Sequence, residues 1–88
     1  MAKQVIKFYA DWCGPCREYG PTFTQVREEL ESEDITFLEI NVENDTDNLS
    51  GQYGVRGIPH TVVLQQGVDT KSQSGRMSQD ELKEFILN

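Results

Sequence analysis

Cys13 and Cys16 stand three residues apart and are the only two cysteines in an 88-residue chain. A disulfide between them would close a tiny loop and constrain the unfolded chain little, so a structural staple explains the pair poorly. In a reducing compartment, paired cysteines point to catalysis or to metal binding. A structural zinc needs four ligands, and the natural candidates are Cys13, Cys16 and His60. Disulfide exchange asks for less: one thiolate that can attack, and a second thiol close enough to release the mixed disulfide.

Both thiols must be held at one place, and the flanking sequence supplies the means. Residues 4–10 read as a buried strand interrupted by one lysine, Lys7, with Asp11 to Cys13 as a short loop after it. A helix is predicted to start near Cys13. Cys16, Tyr19, Phe23, Val26 and Leu30 follow at steps of three and four, which is one helical face. Cys13 then sits near the N-cap, where unpaired N–H groups and the helix dipole favour negative charge, and its pKa is expected to fall below that of free cysteine. Cys16 lies one turn inward on the same face, placed to resolve the intermediate. Pro15 suits the first helical turn, where its missing donor costs little, and Gly14 leaves space beside the sulfur. Pro21 falls inside the pattern and predicts a kink near Gly20.

The remaining elements build a sheet under this helix. Ile35 to Val42 read as a second strand, so strand, helix and strand form a right-handed parallel βαβ unit. Residues 46–53 give a short, weak helix, and Gly54 and Gly57 mark a loop ending at Pro59. Thr61 to Gln65 read as a third strand. Gln66-Gly67 turns the chain, and Val68 to Ser74 return as a polar edge strand that Gly75 ends. Ser78 and Glu81 form a capping box, Met77 and Leu82 fit a hydrophobic staple, and Leu82, Phe85 and Ile86 give the last helix its buried face. The order is β-α-β-α-β-β-α, read as one domain over residues 1–88.

Composition excludes several function classes. The net charge is -7 and no basic stripe interrupts it, which argues against nucleic-acid binding. The acidic stretch Glu28 to Asp34 reads as a solvated helix face. No apolar run approaches the ~20 residues a membrane span needs. No leader is evident before Val5, so a cytoplasmic location is expected.

Trp12-Cys13-Gly14-Pro15-Cys16 resembles the active-site motif of the thioredoxin family in full. Further similarities follow in order: Ala10 before the motif, Arg17 after it, Pro21 in the helix, Val55-Arg56-Gly57-Ile58-Pro59 as the facing loop, Gly67 in the hairpin and Gly75 beyond it. The resemblance runs from about Val5 to Ile86. It implies an α/β protein with the minimal thioredoxin fold, a central four-stranded mixed sheet flanked by three helices. The strand and helix that usually precede this unit would be lacking, at some cost in stability. It also implies a cis Ile58–Pro59 peptide that bars metal ions from the sulfurs. Trp12, Gly57, Ile58, Pro59 and Gly75 are expected to form the groove for protein substrates.

The resemblance further implies a protein-disulfide reductase, with Cys13 as nucleophile and Cys16 as resolving thiol, that binds no cofactor. Its partners would be disulfide-containing proteins and an NADPH-dependent thioredoxin reductase, and it would act as a monomer. Three positions depart from the family. Lys7 occupies the place of a buried aspartate, and Glu39 that of a lysine on the neighbouring strand. The two are expected to pair beneath the cysteines, leaving Glu39 to accept the Cys16 proton, unless Lys7 reaches out to solvent. His60 replaces a threonine and either faces the sulfurs, where as a cation it would stabilise the thiolate, or points away. Tyr9 is read as core packing and Asp11 as a surface charge. The alternatives are a glutaredoxin-like reductase using glutathione, and a scaffold or binding subunit that makes no use of redox chemistry.

Overall fold

The structure, a computed structural model, describes residues 2–88, the side chains of 69 and 70 excepted. Its elements are β1 (Lys3–Tyr9), α1 (Gly14–Leu30), β2 (Ile35–Asn41), a 3-10 turn (Val42–Asn44), α2 (Leu49–Gln52), β3 (His60–Gln65), β4 (Val68–Ser74) and α3 (Gln79–Leu87). The sheet order is β2-β1-β3-β4. β1 pairs parallel with β2 and antiparallel with β3, and β3 pairs antiparallel with β4. The mixed four-stranded sheet is therefore as the sequence implies, with β1 in its interior.

Successive side chains of a strand point to opposite faces, and this alternation builds two cores. Val5 and Val63 join Tyr19, Phe23 and Val26 of α1 and Leu82 and Ile86 of α3 on one face. Ile6, Phe8, Val62 and Leu64 pack on the other, against Leu49 and Tyr53 around α2. The first core holds the active-site helix down. Phe23 stacks edge-on against Phe37 of β2, with ring centroids 5.6 Å apart, an arrangement that adds to the area each ring buries.

The helix ends follow their local chemistry. α1 continues through Pro21 to Leu30, and Phe23 and Val26 beyond the proline remain fully buried. α3 carries the full capping box: the Glu81 N–H donates to Ser78 Oγ at 3.1 Å, and the Ser78 N–H donates to Glu81 Oε1 at 2.9 Å. Met77 and Leu82 share one buried cluster, as a staple requires. α2 is shorter than the predicted 46–53. Its start is set by Asp45, whose two carboxylate oxygens accept the Leu49 N–H at 2.8 Å and the Ser50 N–H at 2.7 Å. Those bonds hold the Asp45 carboxyl below its ordinary value, the Ser50 amide contributing most.

Candidate active site

Strand β1 ends at Tyr9, and the loop Ala10–Trp12 delivers the chain to the mouth of α1. Cys13 is the N-cap residue, in extended backbone conformation, and its Sγ accepts from the Cys16 amide at 3.2 Å. A sulfur at this position receives a backbone N–H and the positive end of the helix dipole, both of which favour thiolate over thiol. Pro15 lies in the first turn, where no donor is missed. Cys16, one turn on, is buried, and the two cysteines are disulfide-bonded with Cα atoms 5.2 Å apart. Trp12 stands 65% exposed beside them.

The facing wall comes from the other end of the sequence. The Ile58–Pro59 peptide is cis. The Ile58 carbonyl oxygen lies 3.8 Å from Cys13 Sγ, and the Ile58 side chain packs against the cluster of Ala10, Cys13 and Cys16. Pro59 is buried, and its carbonyl accepts the Gly75 N–H at 2.8 Å. Gly75 has φ +96°, a conformation that side-chain-bearing residues rarely adopt. Trp12 and Gly57 lie exposed, and Ile58 and Gly75 half-buried.

Lys7 and Glu39 do meet. The β1–β2 register sets them side by side, and Lys7 Nζ lies 2.7 Å from Glu39 Oε1. Lys7 is 3% exposed as a residue, whereas the Glu39 side chain is 37% exposed. The ammonium also sits 5.0 Å from the centre of the Phe23 ring and 5.1 Å from that of Tyr9, within cation–π range. A cleft of about 340 Å³ connects this group with the active site; Lys7, Tyr9, Asp11, Cys16, Arg17 and Gly20 line it. Lys7 therefore does not reach out to solvent, and Tyr9 packs as expected.

His60 begins β3 and is buried. Its Nδ1 lies 2.9 Å from Ser74 Oγ, and its ring centre is 6.5 Å from that of Phe8. Phe8 belongs to the core on the α2 side, so the imidazole packs there. The next residue, Thr61, faces α1 and shares a 2.8 Å hydrogen bond with the Tyr19 hydroxyl. Burial pushes the Tyr19 phenol up to about 12, with the Thr61 bond working the other way.

Arg56 was legible only as part of the loop motif. It is exposed, and it lines a groove with Val42, Ser50, Val55, Gly57 and Ile58. A larger depression of about 390 Å³ lies between β4 and α3, lined by Lys71, Met77, Glu84 and Phe85 among others. It holds no thiol, so the chemistry places the site at the cysteines rather than in the roomier hollow. Among the described residues, no three His, Cys, Asp or Glu side chains are grouped to hold a metal ion. None of the described helices is long and apolar enough to cross a membrane.

Two cysteines joined in a disulfide across one helical turn, one of them capping the helix, make up the kind of site that thiol–disulfide oxidoreductases use. The comparisons with known proteins place the chain within that class. It belongs to the thioredoxin family, whose sequence profile, described as Thioredoxin, matches residues 1–88. A thioredoxin of Mycoplasmoides gallisepticum is 36% identical over 84 residues, covering 96% of this chain and 81% of the relative. A thioredoxin domain-containing protein of Acanthamoeba polyphaga mimivirus is 37% identical over 87 residues, but the match takes up only 25% of that longer protein. Among solved structures, Fasciola hepatica thioredoxin superposes with a TM-score of 0.84 at 27% identity, over 97% of this chain and 78% of that one. Malassezia sympodialis thioredoxin gives 0.83 at 26% identity, over 96% and 71%.

Proposed function

We propose that this chain, acting as a single domain and a monomer in a reducing compartment such as the cytoplasm, reduces disulfides in other proteins by dithiol exchange. The observation that carries this reading is the Cys13 sulfur at the α1 N-cap, next to the Ile58 carbonyl. The Cys13 thiolate attacks one sulfur of a substrate disulfide lying along Trp12, Gly57, Ile58, Pro59 and Gly75. A Cys13–substrate bond forms, and the other substrate sulfur leaves as a thiolate that takes up a proton. Cys16, deprotonated, then attacks Cys13 Sγ and expels the second substrate sulfur. Two electrons pass to the substrate, and its two thiols gain two protons as Cys13 and Cys16 lose theirs. A reductase that draws on NADPH would restore the dithiol, with no cofactor bound to the chain itself.

Cys16 has to lose a proton inside the protein, and the neighbouring cleft supports a route. Lys7 and Cys16 line the same cleft, and Lys7 holds Glu39. In this reading Glu39 accepts the Cys16 proton through water, while Lys7 keeps the carboxylate in place. Glu39→Gln should then displace the pH–rate profile for release of the mixed disulfide, and an unchanged profile would remove the role.

The deciding experiment is insulin disulfide reduction with dithiothreitol. The wild type should accelerate it, Cys13→Ser should abolish the acceleration, and Cys16→Ser should accumulate a mixed disulfide visible by mass spectrometry. A folded wild type with free thiols that gives no acceleration would overturn the reductase reading in favour of a scaffold.

A further inference from the structure

The chain has fifteen acidic residues and eight lysines and arginines, so carboxylates outnumber the cations that could pair with them. Lys7, Arg27, Arg76 and Lys83 are each in an ion pair. Lys3 and Arg17 donate to backbone carbonyls, those of Ile86 and Asp11, and Lys71 sits 5.1 Å over the Phe85 ring. Among the described residues, Arg56 alone of the eight has no such partner. On a surface this acidic, an unpaired guanidinium is a charge left for something outside the chain.

Its position says where that partner must come from. The groove of about 240 Å³ that Arg56 lines is walled by Val42, Val55, Gly57 and Ile58, and Ser50 completes it; Arg56 is its only charged residue. Ile58 and Val42 also pack against the cluster of Ala10, Cys13 and Cys16, so the groove opens beside the sulfur that attacks. A substrate disulfide held against Cys13 would present its neighbouring side chain here. Apolar walls ending in one fixed cation match an aliphatic stem ending in a carboxylate. Arginine's planar fork also suits bidentate pairing with that group.

We infer that this groove is a specificity subsite. It takes an acidic side chain, glutamate above all, placed close to a cysteine of the polypeptide disulfide being reduced. The inference rests on the reductase reading above and adds the substrate class to it. The charges of groove and substrate attract each other in an exposed setting. Coulomb's law at the dielectric constant of water then gives about a threefold effect on encounter and binding for one pair at roughly 6 Å.

The test uses three cystine peptides that differ at one position beside a cysteine: Glu, Gln or Lys. Their kcat/KM values are compared for each protein separately, so any change in a variant's overall rate cancels from the ratio. The wild type should prefer Glu over Lys by roughly tenfold at low salt, with the difference carried by KM. That preference should collapse at 1 M salt, where the screening length is about 3 Å. R56Q should bring the ratio near one, and R56E should reverse it. A wild-type ratio of one, or a preference that R56Q leaves intact, would overturn the subsite while the reductase activity stands. Failure of the reduced wild type to cleave any of the three would overturn both.

Discussion

The Lys7–Glu39 pair offers the sharpest test of the energetics, because its two members are so unequally exposed. At 2.7 Å, and with the effective dielectric constant of about 20 that suits protein sites, the gross attraction is about 6 kcal/mol. Most of that offsets the desolvation of Lys7, which is 3% exposed. Removing one member of a fully buried pair costs roughly 3–5 kcal/mol; here water reaches the carboxylate, so Glu39→Gln should cost about 2 kcal/mol. For a chain of this size that is a fall in Tm of about 10 °C. Lys7→Met is the informative contrast. It puts an apolar chain of similar length between the Tyr9 and Phe23 rings and leaves Glu39 free to hydrate, so it should change stability by no more than about 1 kcal/mol. Urea unfolding of both variants, with the double variant closing the cycle, reads the difference directly. Glu39→Gln costing under about 0.5 kcal/mol, or Lys7→Met costing more than Glu39→Gln, would refute the claim that the carboxylate is there to make a buried cation tolerable.

Two further outcomes concern pH and caps. Unfolded tyrosine ionises near pH 10, while folded Tyr19 holds its proton to about 12. The unfolded state therefore binds fewer protons above pH 10, and stability present in full below pH 10 is lost as the pH rises towards 12, by roughly 2–3 kcal/mol; in Tyr19→Phe this alkaline component of the unfolding curve should vanish. Ser78→Ala should cost about 1 kcal/mol by urea unfolding. The Ser78 amide and hydroxyl hold the Glu81 carboxyl below its ordinary value, the amide contributing most. That contribution is present above the unfolded carboxylate's pKa and is lost as the pH falls through the folded one, so Glu81→Gln should flatten the acid limb, while Ser78→Ala, which keeps the amide, should only weaken it.

The features legible from the residues themselves rest on short-range geometry. The 3-4-3-4 spacing from Cys16 fixed the buried face of α1, and Cys16, Tyr19, Phe23 and Val26 are all buried there. Ser78 and Glu81 announced the start of α3 because a capping box involves only residues three apart. Lys7 and Glu39 could be paired from the resemblance because parallel register carries over with the fold. Features set by distant neighbours were not legible. The side taken by His60 depends on whether β3 turns it towards Phe8 or towards the sulfurs, and one strand gives no vote on that. Asp45 caps α2 across a segment where acids and amides cluster, so nothing singled it out, and Asn48 at φ +54° placed the helix start later than composition implied. Arg56 drew no notice because its distinction is a missing partner, which only three dimensions can show.

Among the described residues β2 lies at the border of the sheet, with one rail of its N–H and C=O groups not paired with another strand. Such a border invites a passing chain to zip on and turn single molecules into fibres. Leu38, exposed on that strand, would welcome it. Glu39 is the next residue along, and its carboxylate stays hydrated on the border while reaching inwards to Lys7. A strand added there would strip water from this charge with no second cation to compensate. The residue that makes a buried lysine tolerable thus also sets a hydrated charge on the open border of the sheet, the kind of feature that opposes pairing with a further strand.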